Sequence, residues 1–248
     1  MPDIQIYPIF DQTVPGIWAD FADIRIQAIH ADSKTKWLDG DNDRLVSEFG
    51  AAWHHNRFNF AFGAYDGHRM IGFAQGDLSH QVGYIRGLYV RPEYQRQGVG
   101  LTLLRAAERA LSMNGKYVDL VTRLNARGFY AQYGYGSLVG TEELIKNVTG
   151  VARCHVVPIF YATPGLGRTL ARISAAYDVR RDTAAINDAH RPIWVYVDAD
   201  RKIGGFALGH VADQDTIPGG VYGADPRTSV AGRLATALAQ VQNFNAGR

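Results

Sequence analysis

Residues Arg91 to Leu104, reading Arg-Pro-Glu-Tyr-Gln-Arg-Gln-Gly-Val-Gly-Leu-Thr-Leu-Leu, constrain the fold more than any other stretch. An apolar run from Tyr84 to Val90, broken only by Arg86 and Gly87, leads into it, and an amphipathic run from Leu101 to Ser112 leads out. The pattern predicts a strand, a tight turn and a helix start. Glycines in such a turn let a bulky anion approach the backbone. The first N–H groups of the helix have no carbonyl partners of their own. With the helix dipole and a nearby cation, here Arg96, that terminus suits a phosphate group.

The string Leu-Tyr-Val-x-Pro-x-Tyr-Gln-x-x-Gly-x-Gly, spanning Leu88 to Gly100, resembles the acetyl-CoA signature of the GNAT family of N-acetyltransferases. The family pattern, Gln or Arg-x-x-Gly-x-Gly or Ala, is met by Gln95, Gly98 and Gly100. Downstream, Asn125-Ala126-Arg127-Gly128-Phe129-Tyr130-Ala131-Gln132-Tyr133-Gly134-Tyr135 resembles a second family marker, a short helix carrying Phe-Tyr followed by Gly and an aromatic. The resemblance implies an α/β fold built on a mixed sheet. It also implies acetyl-CoA as co-substrate and acetyl transfer to a primary amine by direct attack in a ternary complex.

Site residues follow from the same resemblance. Backbone groups of Leu88 and Val90, at a splayed point of the fourth strand, are expected to pair with the pantetheine arm. Gln95 belongs to the motif. The N–H groups of Arg96, Gln97, Gly98, Val99 and Gly100 are expected to hold the pyrophosphate, and Asn125 to touch the cofactor. Tyr130 is the expected general acid, since a phenol is protonated at neutral pH and can donate to a thiolate. The family often carries a glutamate base on the fourth strand, but Gly83 to Val90 holds no carboxylate. Asp77, His80 and Tyr84 are the candidates for that role. Trp37, Asp39 and Asp41, with Asp43, fall between the first two helices, where the family builds its acceptor pocket. Carboxylates there would attract a cationic amine.

Read in order, the chain suggests a strand near Ile4–Phe10, a helix Pro15–His30 and a loop to Asp43. A helix Arg44–His55 and strands Phe58–Phe62, Met70–Leu78 and Gly83–Val90 follow. The helix after the glycines is expected to end in a left-handed cap at Asn114-Gly115. A strand Tyr117–Thr122 and a short helix Ala126–Tyr133 come next. Ser137–Lys146 and Val151–Phe160 read as a hairpin about Asn147–Gly150. The last third resembles a worn copy of the first: Val157-Pro158-Ile159-Phe160 echoes Tyr7-Pro8-Ile9-Phe10, and Arg201–Gly209 echoes Arg69–Gly76. An apolar helix over Leu166–Tyr177 belongs to the same copy. Two units are therefore expected: a catalytic one over 1–157, and a truncated tandem repeat over 158–248 that lacks the glycine spacing.

Of 248 residues, 46% are apolar and 20% charged, with a formal charge of +2, as in an ordinary soluble globular protein. That charge argues against a nucleic-acid partner, and no apolar run is long enough for a membrane span. The single cysteine, Cys154, excludes an internal disulfide. The start shows no basic region followed by an apolar core, so a cytoplasmic location is expected. No His or Cys spacing suggests a metal; His54 and His55 are adjacent and cannot both face one ion from a helix. The expected partner is a small-molecule or peptide amine, with a homodimer open as an assembly. Two rivals stand beside the enzyme: an inactive coenzyme- or partner-binding module of the same fold, and a transferase for a longer acyl-CoA.

Overall fold

The computed structural model describes residues 4–10, 16–32, 43–48, 60–78, 81–113, 115–122, 126–138, 141, 143–160, 193–209, 219–224 and 228–246. They form β1 (Ile4–Pro8), α1 (Ile17–Asp32), α2 (43–48), β2 (Phe60–Asp66), β3 (Arg69–Asp77) and β4 (Val82–Val90). A 3-10 turn at Pro92–Tyr94 leads to α3 (Val99–Leu111), β5 (Tyr117–Val121), α4 (Arg127–Gln132), β6 (Gly136–Ser137) and β7 (Glu143–Asn147). Then come β8 (His155–Ile159), β9 (Ile193–Val197), β10 (Ile203–Leu208), β11 (Gly220–Tyr222) and α5 (Ser229–Ala246). No helix among the described residues is long and apolar enough to cross a membrane.

Two sheets result. The first runs β1-β2-β3-β4-β5-β7-β6, and the second β11-β10-β9-β8. Within the first, β4 and β5 are parallel, and the other pairs are antiparallel. This mixed sheet with helices on both faces is the α/β architecture that the resemblance implies. On one face lies α3. A Cβ added at Gly83 would collide with the Leu111 side chain, and one at Gly72 would meet Leu103 at 3.2 Å. On the other face lies α1, where Phe21 stacks on Phe73 with centroids 4.0 Å apart. Val99, Leu103, Leu104, Ala107, Ala110 and Leu111 recur at helical spacing and are buried, and that stripe holds α3 to the sheet.

The two sheets share a core. Phe10 stacks on Phe160 at 5.4 Å and meets Trp194 edge-on at 5.1 Å, and Phe62 also meets Phe160 edge-on. Rings so arranged add to the burial of apolar area. Behind α3, the Glu108 carboxylate is buried and accepts from Lys146 Nζ at 2.8 Å.

Several expectations need correction. The segment 151–160 does not form a hairpin with β7, because β8 pairs wholly with β9. The chain turns away at Gly150 (φ 86°) and Cys154 (φ 59°), and the Cys154 N–H donates to Val197 O. The second sheet thus begins at His155. Gly115 is not left-handed. It is needed for close approach instead, since a Cβ there would sit 3.0 Å from Leu111 O and 3.4 Å from Gln81 O. The first helix starts at Ile17 rather than Pro15 and runs to Asp32. The helix expected over Leu166–Tyr177 and most of Arg44–His55 lie outside the described residues.

Candidate active site

Register along β4 builds the site. Its pairing with β5 runs Val82↔Tyr117, Gly83↔Val118, Tyr84↔Asp119 and Ile85↔Leu120, then stops. On its other edge, the ladder to β3 shifts: Gln75 faces Gly87 but Gly76 faces Ile85, so Arg86 is an extra residue. This is a β-bulge, which bends the strand and re-aims the side chains beyond it. Gly76 is required beside it, since any Cβ would clash with the Tyr84 carbonyl oxygen. From Arg86 onward β4 leaves β5, and a crevice of about 520 Å³ opens between them. Leu88, Tyr89, Arg96, Gly98, Gly100 and Tyr130 are among the residues lining it.

The turn at one mouth of the crevice is tightly fixed. Arg91 is buried, donating from Nε to Met70 O at 2.9 Å and pairing with Asp23 Oδ2 of α1 at 2.7 Å. Tyr94 donates to Asp66 Oδ2 at 2.9 Å, and Arg69 pairs with Glu93 at 3.0 Å. These bonds clamp the turn to the β2–β3 hairpin. Arg96 (φ 59°) and Gly98 (φ 87°) are left-handed, and Gly98 caps α3 with no side-chain bond to its end. The first helical bond is Thr102 N–H to Gly98 O at 3.0 Å. The N–H groups of Val99, Gly100 and Leu101 therefore have no acceptor among the described residues. Such a terminus suits an anionic group.

The expected site residues separate into groups. Leu88, Val90, Arg96, Gly98 and Gly100 meet at the crevice, Val99 is buried behind them, and Gln97 bonds Glu93 O at 2.7 Å. Gln95 is engaged inside the turn, donating to Val90 O at 3.1 Å. Tyr130, 7% exposed, reaches the crevice from α4. Its ring sits edge-on between Phe129 and Tyr135, and its hydroxyl bonds no described residue. Burial, with Tyr89 nearby, pushes that phenol well above the usual tyrosine range, so it stays protonated.

Asp77 and Tyr84 lie on the opposite face, across from one another in the β3–β4 ladder. The Asp77 carboxylate accepts from Arg86 Nε at 2.5 Å, and burial raises its pKa against that partner's pull. The Arg86 guanidinium lies 5.3 Å over the Tyr84 ring. His80, Asn125, Trp37, Asp39 and Asp41 lie outside the described residues, and Asp43 is an exposed residue at the start of α2. Sequence reading missed Arg86, Tyr89, Gln75 and Asp119. Tyr89 stands in the conspicuous string Leu88–Val90 and could have been read from it. The other three become visible only through strand register.

Residues 25–135 match the model of the Acetyltransferase (GNAT) family. The chain thus carries a GNAT acetyltransferase domain over residues 25–135. Solved structures similar to this chain include a protein from Pyrococcus horikoshii OT3 (17% identity, 58% of this chain and 98% of that one, TM-score 0.47). Another is the PaiA N-acetyltransferase of Thermoplasma acidophilum in complex with coenzyme A (17%, 58% and 99%, TM-score 0.46). A third is the ribosomal-protein-S18-alanine N-acetyltransferase of Escherichia coli (19%, 59% and 94%, TM-score 0.44). No curated protein matches the sequence.

Proposed function

We propose that this GNAT chain moves an acetyl group from acetyl-CoA to a primary amine. One observation carries the reading: β4 parts from β5 directly beside the unpaired N–H groups that open α3. The free β4 edge beyond Arg86, including Leu88 and Val90, offers backbone groups to an extended pantetheine arm. Arg96 and the N–H groups through Leu101 would hold the pyrophosphate. Bound there, acetyl-CoA supplies the acetyl group as a thioester. Tyr130 holds a proton at its hydroxyl in the crevice and can give it to a leaving sulfur. The aromatic residues Phe129, Tyr133 and Tyr89 line the same crevice.

Residues 158–248 are read as a truncated second copy without a cofactor turn. The support is strand order: β8-β9-β10-β11 followed by α5 runs in the same sequence as β1-β2-β3-β4 followed by α3.

The test is calorimetric binding of acetyl-CoA to the wild type and to Gly100→Glu. A Cβ at Gly100 would meet only ordinary neighbours, Phe129 at 3.6 Å and Leu88 at 3.7 Å, and far-ultraviolet circular dichroism checks that the variant is folded. The added carboxylate would then stand at the anion site, and binding is expected to vanish. Equal affinity in both proteins would remove the cofactor assignment. Release of free coenzyme A across a panel of primary amines tests the transfer itself.

A further inference from the structure

On the sheet face away from α3, the bulge gathers charge where the strands part. Tyr84 stands opposite Asp77 on β3 and opposite Asp119 on β5, one step before the last β4–β5 pair. Since Gly83 points at α3, Tyr84 and its partners point the other way. Asp119 is 7% exposed and its Oδ1 has no hydrogen-bond partner. A buried carboxylate oxygen without a partner is costly, and such atoms call for an explanation. On the same face Gln75 is 3% exposed with its Oε1 likewise unpartnered. Glu143, on β7, adds a third carboxylate close enough to act on Asp119. Among the described residues, the Arg86 guanidinium pairs with Asp77 on this face and also lines the crevice. Tyr84 and Tyr117 present exposed rings beside them.

The groups facing Asp119 are thus Tyr84 and Arg86 from β4, Asp77 from β3, Glu143 from β7, and Tyr117 on its own strand. Burial raises its pKa and Glu143 adds to that, while the Leu120 N–H and Arg86 pull the other way. A carboxylate so placed is a stronger base than one in water.

We propose that Asp119 is the proton acceptor for the amine substrate, and that this face selects an aliphatic amine bearing positive charge. This rests on the acetyltransferase reading above. In the step, the substrate ammonium approaches from the face opposite α3 and the Asp119 carboxylate takes one proton. R–NH3+ and COO− become R–NH2 and COOH, and no bond to carbon changes. The unpartnered Asp119 Oδ1 is an acceptor for an ammonium, and the exposed tyrosine rings favour a cation further out.

The test compares the wild type with Asp119→Asn, using 1,5-diaminopentane and Nα-acetyl-lysine as amines. At pH 7 the variant is expected to lose about 100-fold in kcat/KM, in line with general-base catalysis. Its rate should then climb with pH and meet the wild type where the amine is already deprotonated, while acetyl-CoA affinity is unchanged.

A readout free of activity is urea unfolding. The raised pKa means that the native state holds its proton more tightly than the unfolded chain. Ionisation of Asp119 therefore costs stability as pH rises from the unfolded carboxylate value through the folded one. Asp119→Asn should be the more stable protein at pH 7, with the gap closing as pH falls. A variant within threefold of wild-type activity at pH 7, a loss with no alkaline recovery, or no stability gap would each overturn the assignment. A wild type that acetylates no amine would overturn the acetyltransferase reading and this inference together. An active wild type matched by its variant overturns the inference alone.

Discussion

The two glycines of the turn look alike in sequence but do different physical work, and alanine separates them. Gly98 sits at φ 87° and ψ −8°, where a Cβ would meet nothing within 4 Å. Alanine there suffers no clash but is held in the left-handed region, at a cost of about 1–2 kcal/mol. Gly100 is the second residue of α3, with a Cβ position in ordinary contact at 3.6 Å and 3.7 Å. Alanine there removes backbone freedom from the unfolded chain and favours the helix by up to about 1 kcal/mol. The two variants should therefore move in opposite directions, separated by about 1–3 kcal/mol. With a urea slope of about 3 kcal/mol per molar for a chain of this size, unfolding midpoints should differ by roughly 0.3–1 M. Equilibrium urea unfolding followed by tryptophan fluorescence measures this. If both variants shift alike, the left-handed cap at Gly98 is not what shapes the turn.

Tyr130→Phe should leave acetyl-CoA affinity and stability near wild type, because the hydroxyl bonds no described residue. It should slow turnover by about 10²-fold, as loss of a general acid does, in a stopped assay of coenzyme A release. Lys146→Met removes the partner of a Glu108 side chain that is only 5% exposed, and should destabilise the fold by about 3 kcal/mol. Adding Glu108→Gln to that variant should restore most of the loss, read from the same urea curves.

What sequence could reveal here was local. The turn from Gln95 to Gly100 announces itself because its residue types are consecutive, and so does Tyr130 within its Phe-Tyr helix. The stripe of Leu103, Leu104, Ala107 and Leu111 is legible by period alone. Asp119 was not, since one aspartate between Val118 and Leu120 reads as an ordinary interruption of a strand. Its meaning comes from Tyr84 beside it on β4 and Glu143 on β7, both placed there by strand register. The segment Val151–Phe160 was read as a strand correctly but given the wrong neighbour. Its apolar pattern suits either sheet. The left-handed residues Gly150 and Cys154 decide the direction, and a non-glycine at positive φ leaves no trace in composition.

The extra residue Arg86 explains more of the site than any motif residue does. Before it, Gly83 and Ile85 face α3; after it, Leu88 and Val90 do, so the alternation has slipped by one. That slip turns Tyr89 toward α1, where it meets Phe73 at 5.4 Å, and brings Leu88 toward Gly100. It also bends β4 off β5, since a strand cannot keep both a bulge on one edge and a straight parallel ladder on the other. The second sheet makes the contrast. Its β10–β11 ladder runs Phe206↔Tyr222, Ala207↔Val221 and Leu208↔Gly220 with no shift, and β11 ends the sheet. Among the described residues that ladder has no bulge to part its strands, and β11 has no further strand beside it to part from. On the proposed function, the place for an extended thioester arm follows from one inserted residue beside a parallel neighbour, and the glycine turn only closes the end of a slot that begins at Arg86.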